Sequence, residues 1–117
     1  MNLPHKAPLI FAKEVVEKND HSVKVKCLFP EPPTLAMFIE AAAQASAGFN
    51  KEGESAMGFL TMVQNIQRLS TLTHTEYILA ITKENEVGSY RKFFFSAYCN
   101  TSKGEVVTGN FTLMINP

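Results

Sequence analysis

Apolar residues fall at strand spacing at both ends of the chain and at helix spacing once, in between. Residues 9–18 form a mixed apolar and charged run after Pro4 and Pro8, compatible with a strand. Asn19, Asp20, His21 and Ser22 make a turn signal. Residues 22–29 then alternate, with Val23, Val25 and Cys27 on one side and Lys24 and Lys26 on the other. That pattern predicts a half-buried strand, hairpinned to the first. Pro30, Pro32 and Pro33 forbid regular pairing, and Thr34 is placed to cap a helix. The helix is expected to run to about Gly48, a natural stop. After a polar loop over residues 50–55, the segments 57–72, 76–83, 90–100 and 105–115 read as strands. Turns are expected at residues 85–88 and 100–104. Two strands, one helix and about four strands predict an α+β domain, an antiparallel sheet wrapped around a single buried helix. Residues 1–117 are expected to form one domain, since no repeat, linker or low-complexity tract divides them.

The helix segment carries the one polar feature that needs a reason. Small and apolar residues cover every face except at Glu40 and Gln44. The spacing i, i+4 puts those two on one face, one turn apart. A helix apolar all round is normally buried, and a carboxylate on it needs a partner, water or a shifted pKa. The thin centre, Ala41 to Ala45, lets another backbone come close.

Composition narrows the function classes. Eleven basic and eleven acidic residues cancel, so no global field attracts nucleic acid, and no basic run marks a nucleic-acid or membrane patch. No signal-peptide h-region and no stretch of membrane-spanning length is seen. Cys27 and Cys99 form no CxxC pair and read as two reduced thiols of a cytoplasmic protein. His5, His21 and His74 show no metal-ligand spacing, so neither metal nor cofactor is expected.

Two motifs carry a resemblance. Leu3-Pro4-His5-Lys6-Ala7-Pro8 is similar to the Leu-Pro-His-Arg-x-Pro opening of the hot-dog 3-hydroxyacyl-ACP dehydratases. Phe29-Pro30, followed by the helix segment Phe38 to Ala45, resembles their Gly-His-Phe-Pro-Gly loop and Leu-Glu-Ala-x-Ala-Gln helix. The element order agrees over nearly the whole chain. The resemblance implies a hot-dog fold, a homodimer with the site at the subunit interface, and acyl-ACP or acyl-CoA as ligand. It implies Glu40 as the catalytic carboxylate, with Leu28, Leu35, Ala36 and Gln44 at the substrate. Backbone N–H groups at the helix start would polarise the thioester carbonyl.

The departures bear on activity. The dehydratases place a histidine immediately before Phe-Pro, as the base; here that position is Leu28. The loop after it is shorter and has no glycine. Leucine cannot transfer a proton, so standard dehydratase activity is expected to be absent or very weak. Glu40 keeps three readings: a lone catalytic carboxylate, as in some hot-dog thioesterases; a relic in a pocket that still binds acyl chains; or a structural contact. The chain is thus expected to bind acyl thioesters, with a thioesterase or unusual dehydratase, or a non-catalytic partner of an active homologous subunit, as alternatives. Met37, Phe38, Met57, Phe59, Met62, Phe93, Phe94 and Phe95 could line an acyl tunnel or be plain core. Lys13, Arg91 and Lys92 could meet a phosphopantetheine or an acidic carrier, or be ordinary surface charge.

Overall fold

The computed structural model describes residues 11–49, 58–99 and 104–115. One six-stranded sheet runs in the order β1-β2-β4-β5-β6-β3, with all neighbours antiparallel. The strands are β1 (Ala12–Lys18), β2 (Ser22–Leu28), β3 (Gly58–Arg68), β4 (Glu76–Val87), β5 (Tyr90–Tyr98) and β6 (Val107–Ile115). One helix, α1 (Leu35–Ala45), lies against the inner face. The expected α+β architecture is the one observed.

Alternation sets which face is inner. Val23, Val25 and Cys27 of β2, Tyr77, Leu79 and Ile81 of β4, and Phe93, Phe95 and Ala97 of β5 are buried. The core continues through Val107, Phe111 and Leu113 of β6 and meets Phe38, Ala41, Ala42 and Ala45 of α1. Cross-strand pairs such as Leu79 with Ala97 and Phe93 with Phe111 hold these side chains in register. Phe94 and Tyr98, which need cover on the outer face, are half-buried there.

Several element ends differ from the expectations, among them β3, which stops at Arg68 rather than at residue 72. The α-helix stops at Ala45, and residues Ser46–Phe49 continue as one 3₁₀ turn that passes through Gly48. Gly48 serves packing instead of termination: a Cβ there would sit 2.9 Å from Val23 Cγ2 and 3.2 Å from Val15 Cγ2. Beyond it Phe49 stacks on Phe93 (5.8 Å), and Lys83 Nζ sits 4.7 Å from the Phe49 centroid. The β4–β5 turn falls at Gly88-Ser89 rather than at residues 85–88, because β4 continues through a register irregularity between Lys83 and Asn85. Gly88 (φ 58) takes the first central position of that hairpin, which requires a positive φ. The opening motif at residues 3–8 and the loop at 50–55 lie outside the described residues.

β3 is built around an irregularity of its own. Asn65 adopts φ 57 between the paired positions Gln64 and Gln67. The extra residue turns Ile66 toward β6, where Gly109 leaves room: a Cβ on Gly109 would lie 2.2 Å from Ile66 Cδ1 and 3.1 Å from Phe95 Cε1.

Candidate functional site

Thr34 starts α1 as the sequence predicts, with extended backbone (φ −87°, ψ 169°). Its Oγ1 accepts the Met37 N–H at 3.2 Å, and the Thr34 N–H reaches the Met37 sulfur at 3.5 Å. Met37 thereby stands where a capping box usually has Glu or Gln. Leu35 and Ala36 follow as the first two helical residues, whose N–H groups have no acceptor within the helix. Leu35 is half-buried against the core and Ala36 is exposed.

One turn further, the Glu40–Gln44 pair meets the sheet. Gln44 Nε2 donates to Glu40 Oε1 at 3.4 Å. Gln44 Oε1 accepts the backbone N–H groups of Phe11 (2.7 Å) and Ala12 (3.2 Å). The Phe11 carbonyl in turn accepts the N–H of Leu28 at 2.9 Å. A hydrogen-bonded path therefore runs from the Glu40 carboxylate through Gln44 and Phe11 to the Leu28 backbone. Glu40 is half-buried and has the Gln44 amide as a donor, so it is neither fully enclosed nor unpaired, which lowers the cost that the apolar helix implies.

Leu28 ends β2 on the outer parity of the strand, opposite to Cys27, and is 39% exposed. Its cross-strand partner is Glu76. Phe29, next in the chain, turns inward and donates its N–H to Thr75 O at 2.8 Å. There it joins an aromatic cluster with Phe11 (4.9 Å), Phe38 (5.2 Å) and Tyr77 (6.0 Å). The site positions thus divide: Glu40 and Gln44 lie under the first strand, Leu35 and Ala36 at the helix start, and Leu28 at the rim of the sheet.

Tyr77 was not among the residues singled out from sequence, although its place on the inner parity of β4, beside Leu79 and Ile81, marks it as core. Its ring packs edge-on against Phe38 at 5.0 Å, and its hydroxyl accepts the His74 N–H at 3.1 Å. Burial raises its phenol above the ordinary range. Burial also pushes the Cys27 thiol up to about 12. Of the tunnel candidates, Phe38, Phe93 and Phe95 are core, while Met62 is 51% exposed. Met57 and the Phe59 side chain lie outside the described residues. Arg91 is held by its own hairpin, to Gly88 O (2.7 Å), Tyr90 O (3.1 Å) and Glu86 (3.6 Å). Among the described residues no group of three or more His, Cys, Asp or Glu is placed to hold a metal, and no helix is long and apolar enough to cross a membrane.

No family model matches this chain, and no curated protein matches it significantly. Solved structures do. A chain of the dehydratase heterocomplex ApeI:P from Xenorhabdus doucetiae superposes with a TM-score of 0.74 at 19% identity, covering 98% of this chain and 88% of that one. A hypothetical thioesterase with coenzyme A from Streptococcus pneumoniae gives 0.66 at 11% identity, covering 88% and 84%. A mutant form of the thioesterase SAV0944 of Staphylococcus aureus gives 0.65 at 10%, covering 89% and 93%. At such identities the shared property is the architecture, one helix cradled by an antiparallel sheet: the chain has the hot-dog fold.

Proposed function

We propose that this protein binds acyl thioesters, acyl-ACP or acyl-CoA, as a dehydratase-like hot-dog dimer without standard 3-hydroxyacyl dehydratase activity. The observation that carries this reading is the asymmetry of the site. The carboxylate and its amide neighbour are present and tied to the first strand, whereas the position of the base holds an exposed leucine. With Glu40 alone, a proton can be supplied to a leaving hydroxyl, but the Cα proton has no acceptor at the Leu28 position. The coenzyme A named with the pneumococcal neighbour agrees with the ligand class.

The two edges of the sheet support the dimer. β1 carries four charged residues in seven, Lys13, Glu14, Glu17 and Lys18, together with two register shifts, both devices that discourage edge pairing. β3 has no charged residue from Gly58 to Gln67. Leu60 and Val63, paired with the inward residues Leu113 and Phe111, are 42% and 37% exposed. Apolar side chains on the inner parity of an unprotected edge fit a second subunit there.

A direct test uses crotonyl and 3-hydroxyacyl thioesters. The protein is expected to bind them and to leave them unchanged. Turnover that vanishes in Glu40→Gln would establish catalysis by the carboxylate instead, and hydrolysis without hydration would assign it as a thioesterase. Failure to bind any acyl-CoA or acyl-ACP removes the proposal.

A second reading has an observation of its own. The ApeI:P neighbour is described as a heterocomplex. A chain lacking the base could serve as the non-catalytic half of a mixed dimer with a histidine-bearing homologue. That reading expects turnover from the mixed dimer and none from this chain alone.

A further inference from the structure

A cluster of three polar groups at one end of the sheet shares Tyr77 with the aromatic cluster above but takes no part in the Glu40–Gln44 pair. Ile78 and Tyr98 are cross-strand partners, so Tyr77 and Cys99 come opposite each other where β4 begins and β5 ends. Both are nearly closed to solvent, at 1% and 5% exposure. His74 lies over them. Its ring meets Tyr77 edge-on at 6.5 Å, and its Nδ1 is 4.0 Å from Cys99 Sγ. Thr73 Oγ1 stands 3.2 Å from the same Nδ1, and the Tyr77 hydroxyl fixes the His74 backbone. His74 Nδ1 thus faces both the Thr73 hydroxyl and the Cys99 thiol.

A thiol reacts as its thiolate, and an adjacent imidazole is an effective acceptor for its proton. We propose that Cys99 and His74 form a thiol–imidazole pair that makes Cys99 a covalent modification site for small carbon electrophiles. In the Nε2–H tautomer of His74, Nδ1 carries the lone pair and takes the Sγ proton. The sulfur electron pair forms a bond to the electrophilic carbon as the bond from that carbon to its leaving group breaks, and the leaving group departs with the pair. His74 then returns the proton to solvent. Cys99 is buried, so only a compact reagent suits it. This assignment is independent of acyl-thioester binding, because it uses none of the groups around Glu40.

Cys27 is an internal control. It is fully buried, its thiol is pushed up to about 12 by burial, and the Sγ contact found for it is the Val25 carbonyl at 3.9 Å. The test is alkylation of the native full-length chain by iodoacetamide near neutral pH, read at each cysteine by peptide mass. Cys99 is expected to label at least about tenfold faster than Cys27, and His74→Gln to slow Cys99 by about fivefold or more. The wild-type pH profile gives the same test without a substitution, and it decides the matter if His74→Gln fails to fold. Labelling of Cys99 should persist well below the ordinary thiol value of 9.0. Equal rates at the two cysteines, an unlabelled Cys99, a folded His74→Gln protein with an unchanged rate, or a wild-type rate that simply follows ordinary thiol titration would each overturn the pair.

Discussion

Replacing Gln44 by leucine removes one acceptor from two backbone donors at once, since Phe11 N–H and Ala12 N–H both end on Gln44 Oε1. Leaving partly buried donors unsatisfied costs about 1–3 kcal/mol, so Gln44→Leu should destabilise by that amount in urea unfolding. Glu40→Gln removes a charge but keeps an acceptor for Gln44 Nε2, so its stability should change by less than about 1 kcal/mol. That contrast makes Glu40→Gln a clean probe of activity. Cys27 supplies a pH test. Its thiol titrates near the ordinary 9.0 when unfolded and at about 12 when folded. Between those values the unfolded chain has released the proton and the folded chain keeps it. The contribution is therefore complete below pH 9 and is lost as pH rises toward 12. The slope approaches about 1.4 kcal/mol per pH unit for one group. Urea unfolding across the alkaline range should show stability falling with pH, and a shallower fall in Cys27→Ala. Comparing slopes avoids the cost of the cavity that the alanine leaves. Tyr77, also raised by burial, adds to the wild-type fall in the same direction.

The clearest test of an element concerns β3. Gly109→Ala brings a Cβ within 2.2 Å of Ile66 Cδ1, so Ile66 must leave its notch. Overpacking of this kind costs about 1–3 kcal/mol, measurable as a lowered urea midpoint. Trimming Ile66 to alanine in the same protein should return part of the loss, because the two side chains then share the space. This arrangement was not legible in the sequence. Asn65 reads as one more polar strand residue, and a left-handed backbone at that point appears only once β3 is laid against β6. The alternation of β2 was legible, since every second residue must face the helix. So was the Thr34 cap, which depends on neighbours in sequence. The Glu40–Gln44 pair was visible as one helix face, but its anchor was not. Backbone donors at Phe11 and Ala12 carry no side-chain signature, and they reach Gln44 from 33 and 32 residues away. The helix end was misplaced because Gly48 looks the same in sequence whether it terminates a helix or admits Val23 and Val15.

At the scale of the whole molecule the two sheet edges behave differently. The outer edge of the charged, irregular β1 should stay free of a second subunit, and β3 should carry association. A lysine at Val63, exposed on the inner parity of β3, would bring like charges together across a two-fold β3 contact. Val63→Lys is therefore expected to shift the protein from dimer to monomer in sedimentation velocity. Val16→Lys on the other edge, where Val16 is 49% exposed, should leave the mass unchanged. A monomeric wild type, or equal effects at the two edges, would remove the dimer from the functional reading.

The strand order also governs how the chain reaches this state. β4, β5 and β6 follow one another in both sequence and space, so their pairing closes short loops. β2 must wait for β4 across the whole of α1 and β3, as the pair Leu28–Glu76 shows. β3 must cross to the far side of β6. Loop-closure entropy favours the local meander first, with α1 captured when β2 docks. Substitutions in the Phe93–Phe111 stack should then slow refolding, while those at Ile66 or Gln44 mainly speed unfolding, a difference that chevron plots would resolve.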